Sequence, residues 1–304
     1  MSDSVIPESI EKIHSALLTS YADGFGVNNA GTDSLPRRAE VIGVTEKLLE
    51  LIFPGFDRET AGMDSFKLLK NILAELSDQI TRAMRRAAGK KCECCSENCV
   101  SKCDDLALMM LKEIPQIRET LKQDVEAAFN GDPAAKSFDE IILSYPGLKA
   151  IAIQRLAHVM YKLEIPLIPR MMTEYAHSET GIDIHPGATL GKGVFIDHGT
   201  GVVIGETAII GNNVRIYQGV TLGAGNFPKN ACGMLIKGLK RHPTVGNNVT
   251  IYSGASVLGD IEIGDDSVIG GNVWLTESLP AGTKITALPP ECRKKTRNLG
   301  TPAQ

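Results

Sequence analysis

Two aspartate–histidine pairs lie close together in the stretch "DIHPGATLGKGVFIDHGTG", residues 183–201. The pairs are Asp183 with His185 and Asp197 with His198, and the other residues are mostly glycine or apolar. A carboxylate that accepts a hydrogen bond from one imidazole nitrogen fixes the tautomer and raises the basicity of the other nitrogen. Such a histidine can act as a general base near neutral pH.

Asp183 and His198 are the candidate pair for this chemistry. They are 15 residues apart, which is close to the roughly 18 residues of one coil of the β-helix that the repeat described below predicts. The two side chains could therefore face each other on adjacent coils. Gly199 follows His198 directly, which predicts a turn with an accessible ring. From spacing alone, the alternative that both are structural turn residues remains open, and His185 is interpreted as mainly structural.

The sequence indicates no covalent nucleophile beside this pair. Cys232 and Cys292 lie far from any histidine in sequence. The predicted chemistry is therefore direct transfer to a bound acceptor, without a covalent acyl-enzyme. No P-loop, dinucleotide-binding glycine fingerprint or HExxH motif is present, so no tightly bound cofactor is predicted, and no metal is predicted at this site.

Aliphatic residues recur at every sixth position in the second half of the chain. The repeated positions are Ile184, Leu190, Ile196 and Val202, then Ile204, Ile210, Ile216 and Leu222, then Val245, Ile251, Val257, Ile263, Ile269 and Leu275. This periodicity predicts a β-helix in which each six-residue unit forms one short strand and one turn. The length of the repeat predicts roughly five coils of 18 residues.

Two irregularities interrupt the repeat. A two-residue slip separates Val202 from Ile204, directly after "DHGTG". A longer break, "GAGNFPKNACGMLIKGLKRHP" at residues 223–243, predicts a loop outside the coils and ends in the polar pair Arg241 and His242. Long loops inside compact repeats are usually functional or disordered.

Residues 1–180 have helical spacing. Four segments show apolar residues at helical intervals and close at Gly or Pro: "LPRRAEVIGVTEKLLELIFPG", "DSFKLLKNILAELSDQITRAMRRAAG", "IPQIRETLKQDVEAAFNGDP" and "YPGLKAIAIQRLAHVMYKLEIP". The predicted fold class is α+β, with a helical N-terminal domain (1–180), a β-helix domain (181–290) and a short tail (291–304).

Composition excludes several classes of function. The chain has 304 residues, 43% hydrophobic and 22% charged, with a net charge of -4, so it offers no basic field for nucleic acid or an anionic membrane. The polar, acidic start does not resemble a secretory signal, and no apolar run reaches the roughly 18 residues of a membrane span. With seven cysteines and no signal peptide, a reducing, cytoplasmic location is expected.

Five of the seven cysteines lie in "KCECCSENCVSKCDD". Four thiolates within reach of one another could hold zinc or an iron–sulfur cluster. Alternatively, Cys92, Cys95, Cys99 and Cys103 form one helical stripe that continues through Leu106 and Met110. Reduced, buried cysteine behaves as a small apolar residue, so this stripe could equally be a core seam.

The segments "TGIDIHPGATLGKGVFIDHGTGVVIGETAIIG", "VTLGA", "KRHPTVGNNVTIYSGASVLG" and "IGGNVW" resemble the serine O-acetyltransferase family of hexapeptide-repeat acyltransferases, in its long-loop form. The similarity runs from about Asp132 to Pro289. It implies a left-handed parallel β-helix after a helical domain, assembled as homotrimers that can pair into hexamers. The implied reaction is acetyl transfer from the co-substrate acetyl-CoA to the L-serine hydroxyl, a step of cysteine biosynthesis.

Site residues follow from the same resemblance. His198 matches the catalytic base and Asp183 its partner. Serine-binding positions are Asp132 and Asp197 for the ammonium and Arg241 with His242 for the carboxylate. Ala224, Ser253 and Gly271 align with small residues along the groove where CoA lies between subunits. A zwitterionic substrate needs both a cation and anions, which this set supplies.

The sequence departs from the family at its end. It finishes "RNLGTPAQ", without the extended tail and terminal isoleucine that dock O-acetylserine sulfhydrylase in many relatives. This argues against a complex with that enzyme and predicts weaker feedback inhibition by cysteine. The loop at 223–243 is longer than in short-loop members, which affects its contacts with CoA.

Three other functions remain as alternatives. A related acyltransferase acting on a sugar or an antibiotic amine would not need the Asp132, Asp197 and Arg241 set. A γ-class carbonic anhydrase shares this fold but binds zinc through three histidines, and the HxxxxH spacing is absent from the repeat. A catalytically inactive scaffold would not need a complete set of acid, base and Arg/His residues. Fold alone does not decide function.

Overall fold

The computed structural model describes residues 5–22, 27, 29, 35–56, 64–88 and 97–288. The chain divides into two compact units, residues 1–35 and residues 36–304. The first unit contains helix α1, Val5–Tyr21. The second contains every other element of the described chain.

Seven helices precede the strands in the described part of the second unit. They are α2 (Arg38–Ile52), α3 (Ser65–Ala88), α4 (Glu97–Lys112), α5 (Ile114–Gly131), α6 (Phe138–Ser144), α7 (Pro146–Lys162) and α8 (Ile168–Thr180). The four helices predicted from sequence correspond to α2, α3, α5 and α7. Pro146 stands at the first position of α7, where its missing N–H leaves no hydrogen bond unmade.

Among the residues that the structure describes, fourteen short strands then form three parallel sheets. They are β1 (Asp183–Ile184), β2 (Thr189–Leu190), β3 (Phe195–Asp197), β4 (Val203–Ile204), β5 (Ile209–Ile210), β6 (Arg215–Tyr217), β7 (Thr221–Gly223), β8 (Thr244–Val245), β9 (Thr250–Ile251), β10 (Ser256–Leu258), β11 (Glu262–Ile263), β12 (Val268–Ile269), β13 (Trp274–Leu275) and β14 (Lys284–Ile285). The sheets have the orders β1-β4-β7-β10-β13, β11-β8-β5-β2 and β14-β12-β9-β6-β3. Strands β1 to β13 therefore visit the three faces in turn, β14 skips one face, and the predicted parallel β-helix of about five coils is confirmed.

The aliphatic positions of the repeat fill the interior of the β-helix. All of them except the half-buried Leu190 are at most 2% exposed. Both predicted irregularities are present. Ile196 and Ile204, on neighbouring faces, are eight residues apart, whereas the corresponding pair one coil later, Ile216 and Leu222, is six apart. The long loop leaves after β7, and β8 resumes the register with Ile210 paired to Val245.

Helix α7 covers the open end of the first coil. A terminal coil exposes backbone groups that no further coil can pair, so these groups need other partners. Gln154 donates to the Ala188 carbonyl (2.7 Å), and Arg155 donates to the Leu190 (3.1 Å) and Gly191 (2.6 Å) carbonyls. Arg155 also forms a buried, two-pronged ion pair with Asp124 of α5 at 2.9 and 3.0 Å. The helices are thereby fixed to the first coil, which also carries Asp183 on β1 and Asp197 on β3.

Several predictions concern residues that lie partly outside the described ranges. Cys103 and Met110 are buried in the core, as the helical stripe predicts, whereas Cys92, Cys94, Cys95 and the side chain of Cys99 lie outside the described residues. The choice between a core seam and a metal site therefore stays a prediction. So do the domain boundaries, although α8 ends at Thr180 and β1 begins at Asp183. Cys292 and the tail "RNLGTPAQ" lie outside the described residues. None of the described helices combines the length and apolarity needed to cross a membrane.

Candidate active site

His198 lies in the irregular turn between β3 and β4. Its backbone has φ 57°, a left-handed conformation that few non-glycine residues adopt, and Gly199 and Gly201 continue the turn with φ 81° and 78°. The imidazole is 71% exposed, and its Nδ1 lies 3.8 Å from Oδ1 of Asp197, the last residue of β3. The two-residue slip thus presents an accessible imidazole beside a half-buried carboxylate.

Asp132, at the end of helix α5, is the third charged residue of this group. It caps the C-terminus of α5, and its carboxylate accepts hydrogen bonds from the Tyr145 hydroxyl (2.5 Å) and the Ala134 backbone N–H (2.8 Å). These bonds, with the Tyr145 bond the largest contribution and the charge of His198 adding to them, hold the pKa of Asp132 below its usual range. The charge of Asp197 in turn acts on Tyr145. We call the group Asp132, Asp197 and His198 the aspartate corner.

Asp183 begins β1, directly below the turn that carries His198. Its backbone N–H donates to the Val202 carbonyl, and Gly201 donates to the Gly181 carbonyl, each at 2.9 Å. Its half-buried carboxylate lies 3.8 Å from Nη1 of Arg170 on α8. Within the described chain, no hydrogen bond or ion pair joins Asp183 to His198, so their action as a pair stays a prediction.

A second polar cluster surrounds Asp183. Ligand atoms of Glu174, His177 and Asp183 lie within 4.8 Å of one another, a spacing compatible with a metal ion. The Arg170 guanidinium pairs with Glu174 and lies near Asp183, so the charges of both carboxylates are already balanced in part.

Arg241 and His242 follow the long loop and pack against the residues after β4. We call this pair the arginine corner. His242 is 7% exposed, and its Nδ1 accepts a hydrogen bond from the Thr207 backbone N–H at 3.1 Å. Burial, followed by the charge of Arg241, lowers the pKa of His242 to about 4. The imidazole is therefore neutral near pH 7, with the proton on Nε2.

Glu206 holds Arg241 in place. Its carboxylate accepts hydrogen bonds from Nη2 of Arg241 at 2.5 Å and from the Tyr161 hydroxyl at 2.9 Å. His185 lies next to this group, edge-on to the Tyr161 ring at 5.9 Å, and its Nδ1 accepts from the Gly187 N–H at 3.0 Å. Burial lowers the pKa of His185, in keeping with a packed, neutral ring.

Sequence reasoning missed Tyr145, Tyr161 and Glu206. Glu206 lies in the segment "GETA", inside the longest stretch that resembles the family. Its place in that stretch could have identified it as a candidate site residue. The two tyrosines lie in segments predicted to be helical, where spacing predicts packing and gives no sign of hydrogen bonds to Asp132 and Glu206.

The two corners lie on different edges of the same β-helix. The aspartate corner lies between the faces of β3 and β4, and the arginine corner lies between the faces of β4 and β5. The predicted CoA positions divide in the same way. Ser253 and Gly271 stack on consecutive coils at the edge of the aspartate corner, where a Cβ on Gly271 would lie 3.2 Å from the Ser253 carbonyl. Ala224 follows β7 at the edge of the arginine corner.

The three-sided parallel β-helix places the chain in the class of hexapeptide-repeat proteins. The family model "Bacterial transferase hexapeptide (six repeats)" matches residues 242–277, and "Serine acetyltransferase, N-terminal" matches residues 68–153. The chain belongs to the serine acetyltransferase family, as its similarity to individual relatives shows.

Two curated relatives and one solved structure illustrate this similarity. The plasmid serine acetyltransferase of Synechococcus elongatus is 56% identical over 60% of this chain, which spans 57% of that relative's length. The serine acetyltransferase of Bacillus subtilis is 44% identical over 56% of this chain and 74% of its own. Serine acetyltransferase isoform 3 of Entamoeba histolytica, solved in complex with cysteine, matches with a TM-score of 0.70 and 34% identity, covering 95% of each chain.

Proposed function

We propose that the protein transfers an acetyl group from acetyl-CoA to the hydroxyl of L-serine, giving O-acetylserine for cysteine biosynthesis in the cytoplasm. The observation that carries this proposal is the convergence of two carboxylates, Asp132 and Asp197, beside the accessible imidazole of His198. The complex of the Entamoeba relative with cysteine supports the choice of acceptor, because cysteine differs from serine only in carrying a thiol for the hydroxyl.

His198 acts as the general base in this proposal. The serine hydroxyl is too weak an acid to ionise near pH 7, so the imidazole removes its proton as the oxygen attacks the thioester carbonyl. The tetrahedral intermediate then expels the CoA sulfur, which takes the proton back from the imidazolium. Asp183 supports the base by its negative charge from the strand below the His198 turn.

The charged groups of both corners orient the serine. Asp132 and Asp197 receive the ammonium, and Arg241 receives the carboxylate in a charge-assisted pair. His242 adds a neutral donor, because its Nδ1 is occupied by Thr207 and its Nε2 carries the proton. Fixing both ends of so small a substrate positions its hydroxyl for reaction, which is a large source of rate acceleration.

Each complete site then forms between protomers of a homotrimer, which can pair into a hexamer. Because the two corners occupy different edges of one β-helix, the aspartate corner of one protomer faces the arginine corner of its neighbour. The groove between them takes CoA along Ala224 on one side and Ser253 and Gly271 on the other. Small residues there allow the cofactor to approach the backbone closely.

A thiol-release assay with acetyl-CoA and L-serine tests the reaction. The wild type should release CoA only when serine is present, and His198→Ala should lose at least about 100-fold in kcat, the usual contribution of a general base. His14→Ala, a change of the same kind on exposed α1, is the matched control and should retain full activity. Serine-independent release, or an unchanged rate in His198→Ala, would refute the assignment.

Co-expression of two inactive variants tests the shared site. His198→Ala keeps an intact arginine corner and Arg241→Ala keeps an intact aspartate corner. Random mixing of equal amounts in a trimer joins two intact corners in about a quarter of the sites. Activity should therefore recover to about a quarter of the wild-type level, and mixing that restores nothing would place each site within one protomer.

A further inference from the structure

Tyr145 connects the helices to the aspartate corner. It stands between α6 and α7, and its hydroxyl donates to Oδ2 of Asp132 at 2.5 Å while the Ala134 N–H donates to Oδ1 at 2.8 Å. Both oxygens of Asp132 are therefore fixed by a donor. Without the hydroxyl, the carboxylate would keep a single donor from its own loop.

The position of Tyr145 is set by the strand that carries the site. Gly147, in the first turn of α7, packs so closely on β3 that a Cβ there would lie 2.1 Å from the Ile196 carbonyl oxygen. Ile196 immediately precedes Asp197. The close packing of Gly147 on β3 fixes the position of Tyr145 relative to this strand. Through its hydrogen bond, the Tyr145 hydroxyl then fixes Asp132, at the end of α5, relative to the same strand.

Asp132 needs such a contact because of its place in the fold. It caps the C-terminus of α5, and the negative end of a helix dipole disfavours a nearby carboxylate. The Tyr145 bond is the largest of the effects that lower the pKa of Asp132. Burial, followed by the bond to Asp132, raises the pKa of Tyr145, so its hydroxyl stays protonated near pH 7 and donates to the Asp132 carboxylate.

We propose that Tyr145 is a positioning residue for amine recognition, holding the Asp132 carboxylate where the ammonium of the amino-acid substrate binds. This inference rests on the proposed function and adds one residue to its specificity site. Tyr145 does not touch the reacting atoms, so its removal should affect serine binding and leave the chemical step and CoA binding intact.

The test is Tyr145→Phe, which keeps the ring and removes only the hydroxyl. The KM for L-serine should rise about tenfold, the scale of one hydrogen bond to a charged group. The kcat at saturating serine should change less than about twofold, and so should the KM for acetyl-CoA. Tyr175→Phe is the matched control, since Tyr175 also donates to a carboxylate, Glu46, away from both corners; its kinetics should equal those of the wild type.

Each outcome decides the inference. An unchanged KM for serine in Tyr145→Phe overturns it. So does a parallel loss in kcat and in both KM values, or a variant that does not fold by its melting curve, because these results assign Tyr145 to the general structure of the corner. If the wild type itself releases no CoA with serine, the proposed function fails and this inference fails with it.

Discussion

Gly205 is the position where one added methyl group should do the most damage to the arginine corner. A Cβ built there would lie 2.1 Å from Cδ2 and 2.2 Å from Nε2 of the His242 ring. Gly205 has no positive φ, so alanine brings no backbone strain and the whole effect is steric. Its N–H is bonded to the Leu222 carbonyl at 3.0 Å, so the backbone resists moving away.

The size of the effect follows from these distances. Carbon atoms pack at about 3.5 Å or more, so the ring must move by more than 1 Å from the new methyl group. That movement breaks the bond between the His242 Nδ1 and Thr207 and shifts the neighbouring Arg241. Overpacking of this kind costs about 1–3 kcal/mol of stability. A misplacement of about 1 Å in a binding group can reduce kcat/KM by about 100-fold.

Steady-state kinetics and urea unfolding measure both parts of this expectation. For Gly205→Ala, kcat/KM for serine should fall about 100-fold, with stability lower by about 2 kcal/mol. Gly43→Ala in α2, where a Cβ meets open space, is the control and should be as stable as the wild type or slightly more so.

The double variant Gly205→Ala/His242→Ala identifies the cause. With the imidazole removed, Gly205→Ala should cost less than about 0.5 kcal/mol relative to His242→Ala alone. If the methyl group destabilises the protein equally in both backgrounds, or if Gly205→Ala keeps wild-type kinetics, then the contact between Gly205 and His242 does not hold the arginine corner in place.

Two further predictions concern stability. Arg155→Ala leaves the buried carboxylate of Asp124 without its cation and should lower the free energy of unfolding by about 3–5 kcal/mol in urea titrations. Lys122→Ala, which removes the exposed ion pair with Glu119, is the control and should cost less than about 1 kcal/mol. Similar costs for the two variants would contradict this argument. His242 titrates near pH 4 in the folded chain against its usual 6.5, so its neutral form supports folding fully above about pH 6.5 and this support is lost as the pH falls towards about 4. Melting temperatures measured between pH 7 and pH 4 should therefore fall less steeply for His242→Gln than for the wild type, and parallel slopes would refute the prediction.

The fold was predictable because its signal repeats. Aliphatic residues at every sixth position can all be buried together only in the shared interior of a β-helix. All of these positions except Leu190 are buried there. The helices α6 and α8 lack that redundancy. Helix α6 has only seven residues and owes its start to the Ser137 cap, whose hydroxyl accepts from the Glu140 N–H at 3.1 Å. One cap and two turns give too little periodicity to separate a helix from a loop.

The sequence named the residues of the candidate site but not the contacts that separate them into two corners. Residue types and a family resemblance named Asp132, Asp197, His198, Arg241 and His242. The grouping depends on contacts between outward side chains, such as Tyr145 with Asp132 and Glu206 with Arg241, across 13 and 35 residues of sequence. Such contacts have no periodic signature, because they join residues at helix ends, in a turn and after the long loop, outside the repeated aliphatic positions.

The two irregularities of the repeat explain where the chemistry lies. A regular coil commits its inward positions to the core and its corners to tight, stacked turns, so a protruding imidazole has no place in it. The two-residue slip creates the turn that exposes His198, and the long loop returns to the β-helix with Arg241 and His242. In the proposed function, the two edges that carry these breaks meet between neighbouring protomers. In the proposed trimer, catalysis therefore depends on assembly, and a variant that weakens contacts between protomers should lose activity before it loses its fold.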